Sequence, residues 1–158
     1  MLKTTETIKM AKTKLPYTKV VSFKIKELSE NSYHIFVKVK VNEINALFII
    51  DTGASGTVID QQFYLNKLKS RQKTIDQELR GLNSIQYQVQ IGKLKSLTIG
   101  KEVLKSVAVS CIDLAHINEA YKSKGLKINI HGILGSDILK NKGWLLDYKN
   151  SLIGKWEN

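Results

Sequence analysis

A single cysteine, Cys111, occurs in the 158 residues, which excludes an internal disulfide and any cysteine-rich zinc site. A reducing, cytoplasmic setting is expected. With Val107, Val109 and Ile112 as neighbours, Cys111 reads as a small buried hydrophobe. No apolar stretch approaches the ~20 residues that a membrane-spanning helix needs. Histidines 34, 116 and 131 fall singly in three segments without metal-ligand spacing, so no metal site is expected. There is no repeat at a fixed period and no low-complexity linker. Residues 1–19 are rich in Lys and Thr and lack the apolar core of a secretory signal; they read as a basic tail, with a leader as the alternative. Residues 20–158 are long enough for one domain with a real core.

Several chemical motifs are also missing. The Gly-Lys pairs at 92, 100 and 154 have neither the following Ser/Thr nor the earlier glycine of a phosphate-binding loop. Ser55 sits among glycines, but Thr57 occupies the position where a nucleophile elbow needs its second glycine. The Gly53-x-x-Gly56 and Gly132-x-x-Gly135 pairs enclose small or apolar residues where an RNA-clamping loop would be basic. Acidic residues are scarce, 14 against 25 basic, giving a formal net charge of +11. That balance suits an acidic partner, yet the lysines are scattered. The one cluster, Lys67, Lys69, Arg71 and Lys73, reads as a solvated helix end before it reads as a nucleic-acid patch.

Alternation of apolar and polar residues predicts strands over Val20–Ile25 and His34–Val41. Asn42-Glu43-Ile44-Asn45 reads as the turn into a third strand, Leu47–Ile50. Asp60 is placed to cap a short helix from Gln61 to about Lys69 with Phe63, Tyr64 and Leu68 inward. Residues 70–81 carry no clear pattern. Three further strands between Ile85 and Val109, broken at Gly92 and Gly100, make a meander. A loop or short helix from Asp113 ends near Gly125. Ser136 is expected to cap another short helix to about Lys142, and a hairpin around Asp147-Tyr148-Lys149-Asn150 closes the chain.

The unusual stretch is Ala46 to Asp60. An uninterrupted apolar run delivers a lone carboxylate, Asp51, into a turn of small residues, and a second apolar segment follows at once. An acid at the end of a buried strand must be hydrogen-bonded, paired or shifted in pKa. Such a group beside a glycine turn is a candidate for chemistry.

A strand ending in Asp51-Thr52-Gly53-Ala54-Ser55, with a distant Ile133-Leu134-Gly135 opening a short helix, resembles the retropepsin-like aspartic proteases. Similarity is greatest to the small cellular and bacterial members and covers roughly Ser32 to Trp156. The resemblance implies an all-β acid-protease barrel with two or three short helices and one Asp-Thr-Gly lobe per chain. It implies that Asp51 is catalytic, that Thr52 ties one active-site loop to another, and that Ile133, Leu134 and Gly135 support the aspartate loop from beneath. Gly53 has its own reason, because a side chain there would obstruct the carboxylate and a water. The family's substrate-covering flap would fall within Leu79–Tyr87, with Gly81, Leu82, Asn83 and Ser84 near its tip. Only one glycine is present there, and Ser55-Gly56 replaces the acidic pair of viral enzymes.

Carboxylate-driven peptide hydrolysis needs two acids, one ionised and one protonated. None of Asp60, Asp76, Asp113, Asp137 or Asp147 is followed by Thr-Gly or Ser-Gly. Asp137 reads instead as a first-turn helix residue and Asp147 as the start of a turn. The second acid is therefore expected from another copy, in a symmetric homodimer; the resemblance implies that the chain ends supply part of the interface, with Leu152, Ile153 and Trp156 as the candidates. The resemblance implies an endopeptidase acting on a polypeptide substrate with neither a metal nor an organic cofactor. A catalytically inactive dimerisation or peptide-binding module is the first alternative, and a basic nucleic-acid-associated protein is the second.

Overall fold

The structure, a computed structural model, describes residues 16–69, 73–78 and 86–156. Its first strands are β1 (Tyr17–Ser29), β2 (Ser32–Val41) and β3 (Ile44–Ile50). They form an antiparallel meander in which Val41 pairs with Ile44 across a two-residue turn. Asn42 and Glu43 both have positive φ, 47° and 68°, the geometry whose twist matches that of the flanking strands.

The short β4 (Val58–Asp60) follows the aspartate turn and leads into a π-helical turn at Phe63–Lys67. Asp60 Oδ2 accepts the Phe63 N–H at 2.9 Å, and Phe63 and Tyr64 are buried as expected. Residues 73–78, which carried no pattern, are β5 (Lys73–Glu78) and pair with β6 (Gln86–Ile99). After β7 (Glu102–Ile112) come α1 (Ala115–Ser123), β8 (Gly132–Leu134), α2 (Ser136–Asn141), β9 (Trp144–Asp147) and β10 (Leu152–Trp156).

The strand order is β5-β6-β7-β4-β8-β3-β2-β1-β10-β9, and an added β6–β2 pairing closes the six strands from β2 to β6 into a barrel. The fold is thus mostly β with few short helices. Two pairings are parallel, β3 with β8 and β4 with β7, whereas β4 and β8 run antiparallel. This arrangement lays the end of β3 beside β8, although about eighty residues separate them.

Val37, Val41, Phe48, Leu94, Leu97, Ile99 and Leu134 are fully buried inside the barrel. A second cluster, Phe36, Ile49, Val58, Leu114, Tyr121 and Ile130, fills the space between the outer face of the barrel and α1. Strand β3 is covered on both faces. That is why its sequence is a continuous apolar run and not an alternating one. Burial raises the Tyr121 hydroxyl pKa to about 12, and His34 Nδ1 lies 2.6 Å from that oxygen.

Four expectations change. The stretch from Ile85 to Val109 holds two long strands, not three, because Gly92 lies inside β6. A Cβ there would fall 2.7 Å from the Tyr64 ring and 2.8 Å from the Cys111 sulfur, so the glycine makes room for packing and does not break the strand. Ser136 does not cap α2 but is its first residue; the N-cap is Gly135 in an extended conformation. Leu152 and Ile153 are buried in their own chain, paired with β1, leaving only Trp156 exposed among the interface candidates. Lastly, β1 begins at Tyr17. Its ring packs edge-on to Trp156, and its hydroxyl donates to Asp147, whose carboxyl is held near a pKa of about 2, first by the Asn150 side chain and then by Tyr17.

Candidate active site

Strand β3 ends at Ile50, and the next residue, Asp51, turns out of the barrel wall. Its N–H donates to Leu134 O at 3.1 Å, and its own carbonyl accepts the Ala54 N–H at 3.2 Å, closing a tight turn. The Gly53 N–H donates to Asp51 Oδ1 at 2.8 Å. A Cβ on residue 53 would sit 3.2 Å from that same oxygen, a concrete reason for glycine. Asp51 is not in the apolar setting that its neighbours suggested. Within one chain it is exposed, with Thr52, Gly53 and Ser55, while Ala54 is half-buried. The strand beneath is buried; the acid caps it on the open side.

Strand β8 runs parallel to β3, pairing Ile133 with Ile49 and Leu134 with Ile50, and so brings the distant glycine segment against the aspartate turn. Both of its glycines are forced by contact. At Gly132 a Cβ would meet the Phe48 ring at 2.4 Å and Val58 O at 2.6 Å. The Ser136 N–H and hydroxyl both donate to Ala54 O, at 2.8 and 2.9 Å. Loop and segment are one hydrogen-bonded unit.

Thr57 was passed over in the sequence, where it counted only as a missing glycine. It is the one polar side chain buried among the described residues, 2% exposed. Its hydroxyl accepts the Gly135 N–H at 3.1 Å and donates to Asp137 Oδ1 at 2.7 Å. The helix-dipole reading of Asp137 therefore missed its partner. The signal available was a hydroxyl residue directly before an apolar strand, facing an acid two residues after a glycine; nothing local joins positions 57 and 137.

His131, at the entrance to β8, is half-buried against the Phe63 ring, with ring centroids 4.6 Å apart. Burial lowers its pKa, with the charge of Asp60 acting in the opposite direction. The Leu47 N–H points at His131 Nδ1 at 3.2 Å and needs that nitrogen unprotonated, while Asn129 lies 3.4 Å from Nε2. Because the folded pKa lies below the ordinary 6.5, the neutral ring contributes stability that is full above 6.5 and is lost as pH falls through the folded value. Chemical denaturation at pH 7 and pH 5 is expected to show a smaller pH loss in His131→Asn than in the parent chain. Equal losses would remove His131 from the account.

The flap residues Gly81, Leu82, Asn83 and Ser84 lie outside the described residues; β5 and β6 are the strands on either side of them. Among the described residues no group of three or more His, Cys, Asp or Glu could hold a metal ion, and no helix is long and apolar enough to cross a membrane.

Comparison with solved structures places the chain near a retropepsin-like aspartic protease from Rickettsia conorii, at 21% identity over 89% of this chain and 96% of that one, with a TM-score of 0.54. The retroviral protease-like domain of Ddi1 from Leishmania major matches at 14% identity over 78% and 93%, with a TM-score of 0.46. EIAV protease in complex with the inhibitor HBY-793 matches at 21% over 68% and 86%, with a TM-score of 0.43. No curated protein sequence matches. The family model for aspartyl proteases matches residues 37–138, from the middle of β2 through the aspartate turn to Ile138 in α2. That span is more than half of the chain and contains both segments that meet at Asp51: the chain belongs to the aspartyl protease family.

Proposed function

We propose that the chain is an aspartic endopeptidase in which Asp51 and its copy in a second subunit form the catalytic dyad. The observation that carries this is the placement of Asp51. It is a lone exposed carboxylate at the end of a buried strand, oriented by the Gly53 N–H and anchored through its own backbone to Leu134.

One such group can take a proton from water or give one to a carbonyl, but not both at once. Two carboxylates close together share a single proton, the arrangement for which aspartic proteases are the general example, and titrate as a pair. The ionised acid removes a proton from water as the water oxygen bonds to the scissile carbonyl carbon. The protonated acid donates to the carbonyl oxygen. Return of a proton to the amide nitrogen then accompanies cleavage of the C–N bond. The substrate is an extended polypeptide cut between apolar residues.

A two-fold axis beside Asp51 supplies the second acid. The sheet order supports a self-association edge, since among the described residues β9 (Trp144–Asp147) ends the sheet with one neighbour, β10. An unpaired strand edge is a ready template for a second chain.

Sizing at micromolar concentration and mildly acidic pH, combined with an apolar peptide library, tests the proposal. A species of twice the chain mass that cleaves peptides and is blocked by a statine-type transition-state mimic is expected. A strict monomer, or a dimer without turnover, would overturn it.

A further inference from the structure

Thr57 and Asp137 lie eighty positions apart in the chain, and a hydrogen bond of 2.7 Å joins their side chains. A buried hydroxyl is costly unless both its donor and its acceptor capacity are used. Here both are: the hydroxyl donates to Asp137 Oδ1 and accepts the Gly135 N–H. The Thr57 carbonyl also accepts the Ser110 N–H at 3.1 Å, which ties the threonine to β7.

The other half of the argument is the start of α2. Helix N-termini leave backbone N–H groups without intrahelical partners. No side chain of α2 caps its own start. The acceptors come from the aspartate loop: Thr57 Oγ1 takes the Gly135 N–H, and Ala54 O takes the Ser136 N–H. One residue earlier, Leu134 O holds the Asp51 N–H. Gly135 is thus joined to the Asp51 amide through one intervening residue, Leu134.

We propose that Thr57 and Asp137 are positioning residues for Asp51. Asp137 acts through Thr57, because its carboxylate accepts the one hydrogen bond the hydroxyl can donate and so leaves a lone pair aimed at the Gly135 N–H. Neither residue touches substrate. The inference rests on Asp51 being catalytic, as proposed above.

The test compares Thr57→Val, Thr57→Ser and Asp137→Ala in the full chain. A shift of about 1 Å in a reacting group can cost on the order of a hundredfold, so Thr57→Val is expected to lower kcat by about ten- to a hundredfold with KM within about twofold. Thr57→Ser, which keeps the hydroxyl, should recover most of that loss. Asp137→Ala should follow Thr57→Val, and the double variant should fall no further than either alone. Wild-type kcat in Thr57→Val, no recovery in Thr57→Ser, or additive losses would overturn the proposal.

Amide hydrogen exchange separates this inference from the functional reading beneath it. Faster exchange at both Gly135 and Asp51 is expected in Thr57→Val and not in Thr57→Ser. If the parent chain cleaves no peptide, the peptidase reading fails and the exchange result alone decides the brace. Unchanged exchange sinks it. If Thr57→Val does not fold, Asp137→Ala carries the same comparison, with Asp137→Asn as its rescue.

Discussion

Asp51→Asn is expected to lower peptide turnover by about a thousandfold or more, since removing a positioned acid–base group removes its whole contribution to the transition state. Asparagine is nearly isosteric, and its amide oxygen can still accept the Gly53 N–H that Asp51 accepts at 2.8 Å. What it cannot do is exchange a proton with water or substrate. Because each chain has one Asp-Thr-Gly, the substitution would remove both acids of the proposed dyad together. The folding cost should be small. Asp51 is exposed within the chain and makes no other side-chain hydrogen bond among the described residues, so a stability change within about 0.5 kcal/mol is expected. Turnover on a cleaved peptide, measured beside thermal melting and sizing, checks it. A folded dimer of Asp51→Asn keeping more than a tenth of parent activity would show that another group does the chemistry.

Gly135→Ala should damage both stability and turnover, for a purely steric reason. Gly135 has φ −88°, which any residue adopts, so no conformational penalty is involved. Its Cβ, however, would lie 2.6 Å from Gly56 C, 2.7 Å from Gly56 O and 3.0 Å from Ala54 O. All three atoms are backbone, and no rotamer change relieves them. Overpacking of this kind typically costs about 1–3 kcal/mol, and relief here means pushing the aspartate loop away from α2. Gly56→Ala is the internal control, because a Cβ there meets nothing within 4 Å; its effect should stay within about 0.5 kcal/mol. Denaturant midpoints of the two variants make the comparison. Equal midpoints would mean that the two loops are not in the close contact described.

Much of the path to the site was legible because it is local. The alternation of Ile35, Val37, Val39 and Val41 and the turn at Asn42-Glu43 define a hairpin whose second strand must deliver Asp51 into the glycine turn. Asp60 as the acceptor for the Phe63 N–H was legible for the same reason, since a cap acts over three residues. Gly92 was misread because a glycine's reason is invisible without its neighbours. Tyr64 and Cys111 reach it from 28 and 19 positions earlier and later, and only their packing excludes a side chain. Leu152 and Ile153 were misassigned to an interface because burial in one's own chain and burial against another have the same apolar pattern. The pairing of β10 with β1 decides between them.

By itself, then, the sequence determined what short-range rules can determine: strands from periodicity, turns from special backbone angles, and an acid at the end of an apolar run. Tertiary structure decided which distant groups meet. The parallel pairing of β8 with β3 carries Leu134 to the Asp51 amide, and the fold sets Thr57 between Gly135 and Asp137. No periodicity encodes such contacts, because they follow from how the barrel closes and not from spacing along the chain.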